Sequence, residues 1–106
     1  MATRIGEIAK ITEALNGSPV YMESISATSG SSTTNATAFN GGEVLLIQPT
    51  ANVYVIAGTS TVTVTSSNGV LVEANEKFYL TLTSTQTHVA ARTGSGSATV
   101  AIFKMV

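Results

Sequence analysis

Two stretches of the chain alternate strictly between apolar and polar residues. Val62 and Val64 alternate with Thr61, Thr63 and Thr65, and Phe78, Leu80 and Leu82 alternate with Tyr79, Thr81 and Thr83. A period of two places successive side chains on opposite faces of a strand. Each stretch therefore predicts a strand with one buried face and threonines on the other. Three further stretches are apolar on both faces. They are Val44-Leu45-Leu46-Ile47, Val53-Tyr54-Val55-Ile56, and a last strand with Val100 and Ile102 on one face and Ala101, Phe103 and Met105 on the other. A strand of that kind needs cover on both sides. Either it lies in a two-sheet core with a helix or arm across its back, or its second face meets another subunit.

The remaining β signals come at short, regular spacing. Strands are expected at Val20–Ser26, with Val20 and Met22 opposite Tyr21 and Ile25, and at Glu43–Gln48, Asn52–Ala57, Ser60–Thr65, Val70–Glu73, Phe78–Ser84, Thr87–Arg92 and Ala98–Met105. Gly, Pro, Asn and Ser mark the breaks between them. Asn68-Gly69 suits a tight primed turn, because both residues tolerate positive φ. Many short strands with frequent turns are the pattern of an all-β sandwich or barrel.

Two segments are open to two readings. In residues 4–15, Ile5, Ile8, Ile11 and Leu15 recur near helical spacing. Gly6 and the three β-branched isoleucines weaken a helix, so a short amphipathic helix and an extended arm that meets a partner are both allowed. Asn16-Gly17-Ser18-Pro19 then turns the chain. The division is an N-terminal arm or helix, residues 1–17, and a β-sandwich domain, residues 18–106. Residues 27–37 form a Ser/Thr/Gly loop without charge or a large side chain. It is a surface linker or a loop that orders only against a neighbouring chain.

Composition sharpens this picture. The chain of 106 residues is one domain by size. Ser and Thr exceed a quarter of it, Asp is absent, 43% is hydrophobic and only 10% is charged. A disordered chain would be poor in hydrophobics and rich in charge, so this one folds. Five scattered Lys and Arg in a chain of net charge −1 give no stripe to neutralise phosphates, so nucleic acid is not an expected partner. No run is long and apolar enough to span a membrane, and Met1-Ala2-Thr3-Arg4 lacks the apolar core of a signal peptide. Cysteine is absent, so oligomerisation is the obvious alternative staple for a small domain. The span 44–72 carries no charge. An uncharged edge strand invites edge-to-edge pairing, and assembly is expected to cover it.

Residues able to carry chemistry are few. His88, the only histidine, is expected at the surface beside Arg92. One histidine without cysteine does not build a zinc site. Gly94-Ser95-Gly96 lacks the spacing and context of a nucleophile elbow. Glu73 and Glu76 read as a solvated turn beside Asn75 and Lys77, and Glu7, Glu13, Glu23 and Glu43 as single surface carboxylates. Asn16-Gly17-Ser18 and Asn35-Ala36-Thr37 read as turn chemistry. No phosphate-binding glycine loop occurs. Tyr21, Tyr54 and Tyr79 are separated, which leaves a sugar-stacking platform open but weak. The expectation is a non-enzyme with no catalytic residue, metal or cofactor.

From Gly42 to Met105 the order of strands and turns, through Gln48-Pro49-Thr50-Ala51, Gly69-Val70-Leu71-Val72-Glu73-Ala74-Asn75-Glu76 and the hairpin at Gly94-Ser95-Gly96, resembles the small decoration, or cement, proteins of tailed-phage capsids. The resemblance is one of pattern over about the last 65 residues, with no invariant signature. It implies a jelly-roll-like antiparallel β-sandwich. It further implies a structural virion protein on the outer capsid surface, made in the host cytoplasm. Such a protein docks on the major capsid protein, bridges neighbouring shell subunits and forms a homo-oligomer, a trimer before a dimer. The interface residues expected are Ile5, Ile8, Ile11 and Leu15 in the arm, and Ala101, Phe103 and Met105 on the last strand. The alternative is a tail- or fibre-associated or carbohydrate-binding β-sandwich module.

Overall fold

The structure, a computed structural model, describes residues 18–105. The expected N-terminal arm or helix, with Ile5, Ile8, Ile11 and Leu15, lies outside the described residues. Eight strands follow: β1 (Pro19–Thr28), β2 (Thr33–Thr34), β3 (Val44–Pro49), β4 (Val53–Gly58), β5 (Val70–Val72), β6 (Phe78–Thr81), β7 (His88–Thr93) and β8 (Ser97–Met105). They form two four-stranded antiparallel sheets, ordered β1-β8-β3-β6 and β2-β7-β4-β5. The chain is an all-β sandwich. Its pairing is nested, with β4 beside β5, β3 beside β6, β2 beside β7 and β1 beside β8. The chain thus behaves as one long hairpin, closed at its tip between β4 and β5 and wrapped so that its successive strand pairs alternate between the two layers.

The inner faces make the core. Ile25 from β1, Val100 and Ile102 from β8 and Leu45 and Ile47 from β3 meet Val53 and Val55 from β4 and Val89 from β7, all essentially inaccessible to water. Burying each such side chain is worth about 1.5–3 kcal/mol. In β8 the expected division holds: Val100 and Ile102 are core, while Ala101, Phe103 and Met105 are half-buried on the other side. Phe78 and Leu80 pack against the core and Leu82 lies in it, while Thr81 and Thr83 face water.

Several expectations are corrected. Residues 60–65 form no strand, although their alternation is real: Val64 is fully buried while Thr61 and Thr63 are exposed. Side chains replace a ladder here. Ser32 Oγ accepts from the Val64 amide at 3.0 Å, Thr34 Oγ1 donates to the Val62 carbonyl at 3.1 Å, and Asn68 Oδ1 accepts from the Thr65 amide at 2.7 Å. The first two reach back about thirty residues, while the third is a local side-chain bond of the kind that competes with regular structure. Asn68-Gly69 is no primed turn, since neither residue has positive φ. The Gly69 amide instead bonds the Thr65 carbonyl at 3.1 Å. Apart from glycines, left-handed backbone among the described residues falls on Asn75, at φ 63°.

Residues 27–37 are not a free linker. Ala27 and Thr28 continue β1, and Thr33 and Thr34 pair with Ala91 and Ala90. Finally, β1 breaks register between Tyr21 and Glu23. The extra residue of this bulge reverses the alternation, so Tyr21 and Ile25 stand on opposite faces rather than together.

Candidate docking faces

Side chains paired across antiparallel strands stand on the same face. Tyr21 pairs with Phe103, Phe103 with Leu46 and Leu46 with Tyr79. One apolar row therefore crosses all four strands on the outer side of the first sheet. Tyr21 and Phe103 meet edge to face, with ring centroids 5.8 Å apart, a favourable aromatic geometry. Leu46 is buried at the floor of the row, Phe103 and Tyr79 are half-buried, and Tyr21 is 57% exposed. Met105, opposite Pro19, lies at one end of this face. On the other side of the row, Ser24, Ala101 and Gln48 make a more polar strip. Val20 and Met22, on the same edge strand as Tyr21, are also exposed.

The outer side of the second sheet is treated differently. Residues 59–69 fold back across it. Val62 sits against Gly58, and Gly69 against both Val64 and Tyr54. Ala90, on that outer side, is completely buried. This flap is the cover that the two-faced apolar pattern of 53–56 demands. It stops short of the sheet edge, where Val70 and Leu71 are about half exposed. Beside them runs an open groove of about 400 Å³, lined by Ala51, Asn52, Tyr54, Leu71, Gly94 and Ser95.

Between the sheets, at one side of the sandwich, is a polar cluster. Glu23 on β1 accepts from Asn35 Nδ2 at 2.7 Å and from the amides of Ala36 and Thr37 at 3.1 and 3.0 Å. Asn35, itself buried, also donates to the Thr37 carbonyl and accepts the Val89 amide at 2.8 Å. One carboxylate and one amide thus tie β1 of the first sheet to β7 of the second. Desolvation works to raise the Glu23 pKa. The bonds from Asn35, Thr37 and Ala36, with the nearby His88, outweigh it and hold the group below the ordinary glutamate value. Its oxygens are occupied, which makes Glu23 a poor general base.

His88 corrects its expected place. It is only 9% exposed, and its Nδ1 lies 2.8 Å from Thr87 Oγ1. Glu23 and Glu43 are not single surface carboxylates either. Glu43 Oε1 accepts the Asn40 amide at 2.7 Å, and its Oε2 is 3.2 Å from Lys104 Nζ, an ion pair without an aligned hydrogen bond. Glu73 and Glu76 are exposed around the turn at Asn75. Asn35 performs the turn chemistry its triplet suggests, from a buried position.

Of the expected interface residues, Ala101, Phe103 and Met105 come together on the outer side of the first sheet. Sequence reasoning missed Tyr21, Leu46 and Tyr79, their neighbours in the row, and Leu71 on the other sheet. The faces of Leu46, Tyr79 and Leu71 were readable along their own strands, whereas the bulge in β1 hid that of Tyr21. What joined them was the strand order, which no local pattern contains. Among the described residues, no group of three His, Asp or Glu could hold a metal ion, and no helix is long and apolar enough to cross a membrane. No protein-family model matches the chain, and neither the curated proteins nor the solved structures give a match.

Proposed function

We propose that this protein is a structural module that works by surface docking and carries out no catalysis. Its role is to decorate and stabilise a phage capsid by bridging neighbouring subunits of the shell. One observation carries the reading. The large exposed hydrophobics among the described residues fall into two clusters, Val20, Tyr21 and Met22 on β1 and Val70 and Leu71 on β5, each on an edge strand of a different sheet. A bridge needs two separate docking surfaces, and scattered exposed leucines would not supply them. The nested pairing of β1 with β8, β2 with β7, β3 with β6 and β4 with β5 supports a jelly-roll reading, and with it the resemblance to capsid decoration proteins.

The partner is then the major capsid protein on the outer surface of the virion, and the module acts as a homo-oligomer. Each contact can be weak, because repetition over a shell multiplies it by avidity. The test is co-sedimentation with purified shells. The protein should pellet with them and raise their melting temperature. A chain that stays in the supernatant at saturating concentration rules the reading out.

A second reading, a glycan-binding module of a tail or fibre, has one observation in its favour. The groove beside Leu71 sets a half-buried Tyr54 ring next to Asn52 and Ser95. Glycan-array binding abolished by Tyr54→Ala, with no affinity for shells, would favour it.

A further inference from the structure

We propose that the apolar row on the outer side of the first sheet is the seat of the N-terminal segment, residues 4–15, of a second copy of this chain. The inference rests on the docking reading above and names the occupant of one of its two surfaces. The row Tyr21, Phe103, Leu46 and Tyr79 spans three strand spacings, about 14 Å at about 4.8 Å each. Residues 4–15 present Ile5, Ile8, Ile11 and Leu15 at helical spacing. Twelve residues cover about 18 Å as a helix and more if extended, so the segment crosses the whole row.

Chain connectivity brings it there. Seventeen residues precede the described chain, and they enter through Ser18 and Pro19, beside Met105 at the end of the same face. The chemistry is complementary. The row itself carries no charge, and in the segment Arg4, Glu7, Lys10 and Glu13 interleave with the apolar positions and pair off in sign.

Two arguments favour a second copy over the same chain. Ser18 precedes proline, which disfavours helical backbone and biases the chain to leave β1 extended, past the rim of the sheet. Bridging also needs more than one surface. A segment folded onto its own sheet would leave a single chain with only the β5 cluster. Exchange between copies instead joins several chains, each with its β5 cluster still free for the shell.

The absence of cysteine allows a direct test on the full chain. One preparation carries Ile8→Cys and another Tyr79→Cys. They are mixed, equilibrated and treated with a short bismaleimide. The expected result is a covalent two-chain product that needs both variants, and single-chain mass by light scattering once residues 1–17 are deleted. Cross-linking within one chain in an Ile8→Cys/Tyr79→Cys double variant, with none between chains, overturns the proposal in favour of self-docking. No cross-link in either arrangement overturns it altogether. Shell co-sedimentation, run in parallel, separates the two readings. Full shell binding without the cross-link defeats only this inference, and the cross-link without shell binding defeats only the capsid role.

Discussion

At the scale of single residues, the most consequential polar group is Glu23. Its carboxylate gathers three donors from residues 35–37, and its pKa lies below the ordinary glutamate value because those bonds overcome desolvation. A group whose folded pKa is depressed contributes stability above its unfolded pKa, and that contribution is lost as pH falls through the folded value. The sandwich should therefore hold its stability from neutrality down to about pH 5 and lose part of it below about pH 4.3, the unfolded glutamate value. Glu23→Gln removes the charge but keeps the shape, and should cost about 1–2 kcal/mol at pH 7, the scale of hydrogen bonds to a charged acceptor. Urea unfolding at pH 7 and pH 3 checks this. The gap between wild type and variant should narrow at pH 3, and an equal gap at both pH values would contradict the assignment. Asn35→Ala should cost more, about 2–3 kcal/mol, since it also strands the buried Val89 amide.

At the scale of elements, the flap of residues 59–69 carries the clearest prediction. A Cβ on Gly69 would come within 2.6 Å of Val64 Cγ2 and 2.9 Å of Tyr54 Cβ, contacts the packing cannot absorb without moving. The φ of Gly69 is not positive, so the requirement is space rather than backbone freedom. Gly69→Ala should lift the flap and cost about 1–3 kcal/mol, as overpacking does. Faster hydrogen exchange at the Val64 amide, with the β3 and β8 amides still protected, would be its signature. Uniform loss of protection would mean that the flap and sandwich unfold as one unit.

This element also marks where local pattern stops informing. Period two along 61–64 correctly separates the buried Val64 and half-buried Val62 from the exposed Thr61 and Thr63. It cannot distinguish a strand from a chain held by Ser32, Thr34 and Asn68, because both bury alternate residues. The two-faced pattern of 53–56 announced a cover without naming it. The reversed faces within β1 come from a bulge, a one-residue slip that composition does not encode. His88 was misplaced for a related reason. Alternation gives the side of a strand, whereas burial depends on what else lies on that side. For the candidate site, Ala101, Phe103 and Met105 were readable on one strand. Tyr21, Leu46 and Tyr79 joined them only through the order β1-β8-β3-β6.

At the scale of the whole molecule, the two exposed clusters make bridging testable apart from mere adhesion. Leu71 and Tyr21 stand on different sheets and outside the main core, so Leu71→Asp and Tyr21→Asp should each leave the fold intact by circular dichroism. A desolvated carboxylate at the centre of an apolar contact costs several kcal/mol, so loss of at least about ten-fold in affinity at the altered surface is expected. A module that only adheres through one face would be blind to one of the two variants. A bridge is sensitive to both in its effect on the shell, since a clamp open at either end holds nothing together. The expected pattern is therefore asymmetric between assays. Tyr21→Asp should still bind shells, more weakly, through its β5 cluster, Leu71→Asp should lose them, and neither should raise their melting temperature. If Tyr21→Asp stabilises shells as well as wild type while Leu71→Asp does not, the first sheet has no part in the clamp. The module would then act as a one-sided adhesive, with avidity over the shell rather than bridging as the source of any stabilisation.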